Sequence, residues 1–79
     1  MKVEWYVLYI MKQIKNNYAR ALIAKKENHL SARDFEVGQA FGAANALYCA
    51  LLMTDKHLAS LFDRWHAKQL AQFHKRESV

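Results

Sequence analysis

Four histidines (His29, His57, His66 and His74) and one cysteine, Cys49, are the residues best suited to metal or nucleophilic chemistry. A metal site needs three or four convergent ligands. No two histidines form an HxxxH pair, and none lies within four residues of Cys49. Asp63 and His66, at i and i+3, share a helix surface, which makes a contact rather than a site. A catalytic thiol needs a base beside it and an electropositive, accessible setting. Cys49 sits between Tyr48 and Ala50 with no charge within four residues, and it reads as a small buried apolar residue. Ser31 reads as a helix cap. Gly38 and Gly42 fall inside a helical pattern, so they form no phosphate-binding loop. These residues point away from an enzyme and imply no metal or other cofactor.

Two patterned surfaces carry more information. On the first helix Trp5, Leu8, Tyr9 and Ile23 lie opposite the core face, interleaved with Lys12, Asn16 and Lys26. Aromatics beside cations are enriched at protein interfaces, so Trp5, Tyr9, Lys12 and Asn16 form a candidate partner-binding stripe. Such residues also stack on single-stranded nucleic acid. The plainer reading is that another helix, or a second copy, covers this face. On the third helix His57, Arg64, Lys68 and Lys75 share one side, a line that can track phosphates. A helix-turn-helix reader would place such a helix in the major groove. Asp55 and Asp63 lie nearby and few short polar residues accompany the cations, which favours a solvated face.

The segment from Val37 to Thr54, VGQAFGAANALYCALLMT, contains no charge. As a helix it has a bulky face (Val37, Phe41, Leu47, Tyr48, Leu51, Leu52) and a flat one. The flat face carries Gly38, Gly42, Ala43, Ala46, Cys49 and Ala50. A soluble helix apolar all round must be covered all round. Glycine inside a helix costs about 1 kcal/mol relative to alanine. Two of them four residues apart therefore suggest a close approach. Either helix 1 or 3 packs on Gly38, Gly42, Ala46 and Cys49, or a homodimer forms there.

The elements that position these residues are three helices, at about 3–27, 32–53 and 55–74, in an all-α antiparallel bundle that dimerisation would complete. Val3, Val7, Ile10, Met11, Ile14, Tyr18, Ala21 and Leu22 follow the 3-4 spacing of one face. Asn28 and His29 lead into a turn at residues 28–31. There Ser31 is the expected cap of helix 2, Asp34 its capping-box partner, and Leu30 with Phe35 a hydrophobic staple. Thr54 is the expected cap of helix 3, with Met53 and Leu58 as a second staple. No Gly or Pro enforces this boundary, and a continuous helix through Thr54 is the alternative. Leu58, Leu61, Phe62, Trp65 and Phe73 form the inner face of helix 3. Residues from Lys75 to Val79 are expected to fray.

Seventy-nine residues make one domain, residues 1–79, near the lower limit for a self-sufficient core. The chain has no proline and only two glycines, too few turn formers for an all-β fold. The net charge is +5. Residues 1–30 hold +4, residues 31–54 hold −1 and residues 55–79 hold +2. Basic ends suit solubility, an acidic partner surface or nucleic acid. A single cysteine fits a reducing cytoplasm, and no secretory signal is visible. The uncharged segment, with two Gly, Gln39 and Asn45, falls short of the roughly 20 strongly apolar residues of a membrane span. In general character the chain resembles short, single-domain, all-α accessory proteins of bacteriophages and prophages. Such proteins often occupy a surface on a host polymerase, regulator or defence complex. The resemblance implies an inhibitor or adaptor and assigns no residue. The leading expectation is a non-enzymatic protein-binding module in the cytoplasm, with a second copy as a further partner. A small DNA- or RNA-binding regulator using the basic faces of helices 1 and 3 is the alternative.

Overall fold

Helical spacing of apolar residues becomes three helices in the computed structural model, which describes residues 4–79. They are α1 (Trp5–Lys26), α2 (Leu30–Thr54) and α3 (Lys56–Glu77), packed as an all-α bundle. The expected helix start at Val3, and Val3 as a core position, lie outside the described residues. Val7, Ile14, Tyr18 and Ala21 of α1 are buried, as the 3-4 pattern requires, and Ile10, Met11 and Leu22 pack beside them. From α2 they meet Ala40, Ala44, Leu47 and Leu51; α3 adds Ala59, Phe62 and Phe73. The contact between α1 and α2 is the most extensive, and that between α1 and α3 the least. Alanine at 40 and 44 fits the α1–α2 contact, because its small side chain lets a neighbouring backbone come near. The bundle measures 40 × 18 × 17 Å.

Helix ends depart from expectation, each for a local reason. Asn28 takes φ 62°, the left-handed conformation that asparagine tolerates. This closes α1 with a Schellman pair: His29 N–H donates to the Ala24 carbonyl at 2.8 Å, and Asn28 N–H to that of Lys25 at 3.1 Å. The reversal is complete by His29, so α2 starts at Leu30 and Ser31 lies within its first turn. His29 occupies the cap position and makes no side-chain cap bond. Asp34 bonds Arg33 instead of returning to the cap. Leu30 and Phe35 are 54% and 63% exposed, so the expected staple is absent.

At the second boundary Asp55 caps α3, its carboxylate accepting the Leu58 N–H at 3.0 Å. Thr54 is the last residue of α2, and its hydroxyl donates back to the Ala50 carbonyl. The break is therefore real and one residue long. With the cap at Asp55, Met53 falls outside any staple and is 87% exposed. Helix 3 runs on to Glu77 rather than stopping at His74. The Glu77 carboxylate accepts two hydrogen bonds from Arg33 of α2, and the Ser78 hydroxyl donates to the carbonyls of His74 and Lys75. Residues expected to fray are thus tied to the start of α2.

Helix α2 is 25 residues long and, by length and composition alone, apolar enough to cross a membrane. Its most apolar 18-residue window has mean hydropathy 1.2 and is 22% buried in the bundle. Most of the uncharged segment is left without cover inside one chain.

Candidate functional site

Three outward faces hold the residues singled out above. On α1, Trp5 is 74% exposed, Leu8 57% and Tyr9 55%. Trp5 meets Tyr6 and Tyr9 edge-on, with ring centroids 6.4 Å apart in each pair. The first two turns therefore carry a cluster of aromatic rings in mutual contact, turned to solvent. Lys12 is exposed next along the stripe, and Asn16 is half-buried. The antiparallel hairpin places this cluster at the same end of the bundle as Met53.

On α2 the flat face points outward. Gly38, Gly42, Ala46 and Cys49 are all exposed. A Cβ added at either glycine would meet nothing within 4 Å. Packing of helix 1 or 3 on these glycines is therefore ruled out within the chain, and Cys49 is not the buried residue the sequence suggests. The backbone approach that small side chains allow happens one face round, at Ala40 and Ala44. Phe35 and Met53, exposed at the two ends, extend the stripe into a continuous row at 35, 38, 42, 46, 49 and 53. Sequence reading missed these ends because both residues were assigned to staples.

On α3, His57, Arg64, Lys68 and Lys75 are all exposed. None of them makes an ion pair among the described residues. They form a line along the helix, outside the two cavities between α1 and α3.

Side chains from all three helices converge at the middle of the bundle. The Tyr18 hydroxyl of α1 and Nε2 of His66 of α3 are hydrogen-bonded at 2.8 Å. Phe41 of α2 meets His66 edge-on at 5.4 Å, and Phe73 lies 5.0 Å from the Tyr18 ring. Burial pushes the Tyr18 phenol up to about 12. Burial lowers the His66 imidazole below its ordinary value, against the opposing pull of Asp63. Both shifts favour neutral forms, so the pair is a neutral phenol hydrogen-bonded to a neutral imidazole. The expected Asp63–His66 surface contact survives only as this weak charge effect. The partner of His66 is Tyr18, 48 residues away in sequence.

Two further polar contacts join helices: Arg20 of α1 pairs with Glu36 of α2 at 2.6 Å, and Arg33 of α2 pairs with Glu77 of α3. The Arg33–Glu77 bonds are 2.5 and 2.6 Å, and the guanidinium carbon of Arg33 lies 5.4 Å from the Phe73 ring centroid. Hydrogen bonds from Arg33 hold the Glu77 carboxyl below the usual range, outweighing burial. The Arg33 guanidinium is in turn raised well above its ordinary value, chiefly by Glu77.

Because α1 and α3 touch so little, a groove opens between them. It consists of two adjoining cavities of about 550 and 250 Å³ that share Leu22 and Arg76. Asn16, the last residue of the predicted α1 stripe, lines the smaller cavity with Gln69 and Gln72. No group of three or more His, Cys, Asp or Glu side chains comes together among the described residues. No family model matches the chain, and no curated protein or solved structure matches it either.

Proposed function

We propose that this chain is a non-enzymatic protein-binding module whose anchor is the aromatic cluster at the start of α1. The observation that carries the reading is the exposure of Trp5, Leu8 and Tyr9 on consecutive turns beside Lys12. Burying a large aromatic is a major source of binding energy, and exposed contiguous apolar surface marks interaction sites. The core already has its aromatics in Tyr18, Phe62 and Phe73, so the fold does not need Trp5. The general resemblance to phage accessory proteins favours an inhibitor or adaptor acting on a host protein in the cytoplasm. The uncovered face of α2 supports a homodimer as its oligomeric form.

The test uses the chain as bait in nuclease-treated host lysate, beside a Trp5→Ala/Lys12→Glu variant. We expect capture of a defined protein by the wild type and its loss in the variant, with the circular dichroism of the two superimposable. A variant that unfolds would place Trp5 in the core and overturn the reading.

The nucleic-acid alternative draws its support from the exposed, unpaired line His57, Arg64, Lys68 and Lys75. It predicts that Arg64→Ala/Lys68→Ala abolishes binding to DNA or RNA. It also predicts that affinity falls steeply between low and physiological salt, through counterion release.

A further inference from the structure

The groove between α1 and α3 differs in chemistry from the aromatic cluster. Its floor is apolar, with Leu22 above the buried rings of Tyr18 and Phe73, and Ala19 and Ile23 line its edge. Its rim is cationic: Lys15, Lys25, Lys26 and Arg76 all line it and all are exposed. Glu77 is the one carboxylate side chain among the lining residues, and Arg33 already neutralises it. Leu22 is half-buried within this cationic frame, and Ile23, 56% exposed, stands at its outer edge.

We propose that this groove docks an acidic amphipathic helix of the partner protein. The proposal rests on the reading of the chain as a protein-binding module and names the chemistry of what it binds. From Lys15 to Lys26 the groove follows three turns of α1, about 17 Å at 1.5 Å per residue. That length takes a helical segment of about 11 residues, whose apolar side chains at i, i+3 or i+4, and i+7 reach the floor. Lys15 and Lys26 share one line of α1, about three turns apart, and stand near the two ends of its wall of the groove, while Arg76 stands on the α3 wall, so carboxylates near both ends of that segment and on its α3 flank face cations. Opposite charge across the rim steers encounter and fixes orientation. The amides of Asn16, Gln69 and Gln72 supply neutral hydrogen-bonding groups at the narrow end.

Two other occupants fit less well. Nucleic acid wants flat aromatic surfaces for its bases, but the rings nearest the groove, Tyr18 and Phe73, are 5% and 2% exposed. A second copy of this chain carries a net charge of +5, and its Glu36, Asp55 and Glu77 are already held by internal contacts.

The test titrates three probes into the full chain labelled with ¹⁵N. The first is a capped 14-residue helical peptide with leucine at positions 1, 4, 8 and 11 and glutamate on both flanks. The second has lysine at every glutamate position, and the third is a 15-nucleotide oligothymidylate. We expect the acidic peptide to shift the amides of Lys15–Lys26 and Gln69–Arg76. We expect it to bind at least about tenfold more tightly than the lysine peptide, as rim charge complementarity requires. Lys26→Glu/Arg76→Glu, and separately Lys15→Glu/Lys25→Glu, should reverse that preference with the fold intact. Lys56→Glu, at the far end of α3 from the groove, should leave it unchanged. No shift at millimolar peptide, shifts confined to other faces, equal affinity for both peptides, or tighter binding of the oligothymidylate in the groove would each overturn the proposal. If the groove variants alter peptide binding while Trp5→Ala/Lys12→Glu leaves capture of the cellular partner intact, the aromatic anchor fails and the groove stands. The converse result rejects the groove alone.

Discussion

Tyr18 and His66 make the bundle sensitive to pH at both ends of the scale. His66 binds its proton less readily folded than unfolded, so the unfolded chain takes up more protons as pH falls through the ordinary histidine range. Stability is therefore full above about 6.5, the unperturbed histidine value, and declines below it until pH passes the lowered folded value. Tyr18 runs the other way. Its folded pKa is raised from 10.0 to about 12, so its contribution is complete below 10.0 and is lost as pH rises toward about 12. Thermal melts from pH 7.5 to 5 should show a falling Tm for the wild type and a flatter profile for His66→Gln. A wild-type Tm that rises on acidification would contradict the buried neutral pair. Sequence spacing correctly placed Tyr18 on the core face. It could not reveal His66 as its partner, because the two meet only when α1 and α3 are laid side by side.

Among the elements, the two helix starts make opposite predictions. Asp55→Ala removes an observed cap and should cost on the order of 1 kcal/mol in urea unfolding. Ser31→Ala removes none and should change stability by less than about 0.5 kcal/mol, as for ordinary surface sites. In the monomeric state Phe35→Ala should likewise be nearly silent, since the ring lies on the outer face of α2. A loss in the roughly 3–5 kcal/mol range of buried aromatic truncations would show that Phe35 is covered in solution.

The last turn of α3 depends on Arg33 in the same way. Its side chain is 22% exposed and that of Glu77 11%, so the pair is only partly screened. Glu77→Gln should cost about 1–2 kcal/mol, in line with partly exposed charge-assisted hydrogen bonds. Amide exchange should accelerate from His74 to Ser78. The lowered carboxyl pKa of Glu77 adds an acid sensitivity. Stability supplied by the pair is present above 4.5 and lost as pH falls through the folded value.

For the molecule as a whole, the uncovered row on α2 carries a prediction about assembly. The row is close to symmetric about residue 44, with Phe35 and Met53 nine positions to either side and Gly42 and Ala46 two. An antiparallel two-fold pairing would lay small residues against small and set Phe35 of one copy against Met53 of the other. We expect a dimer by sedimentation at micromolar concentration, with Gly38→Leu/Gly42→Leu reducing it to a folded monomer. Within one chain there is open space at both glycines, so Gly42→Ala alone should raise the stability of the dissociated wild-type chain by about 0.5–1 kcal/mol through helix propensity. A clean wild-type monomer would exclude a second copy as the cover of this face.

The sequence by itself determined the helical class, the core face of α1 and the uncharged character of α2, but not whether α2 and α3 separate at Thr54. Each is a local periodicity, complete within one window of chain. Only the tertiary structure decided which of the two small-residue faces of α2 takes α1. Ala40 and Ala44 share the face with Leu47 and Leu51, so packing there buries large side chains as well as allowing close approach. Packing on Gly38 and Gly42 would bury little apolar area, and that face, with Cys49, is left outside. The helix ends followed from the same kind of long-range choice. A left-handed Asn28 moved the start of α2 to Leu30, and Arg33, some 44 residues from Glu77, carried α3 beyond His74. Such contacts belong to pairs of helices and are written in no single stretch of either.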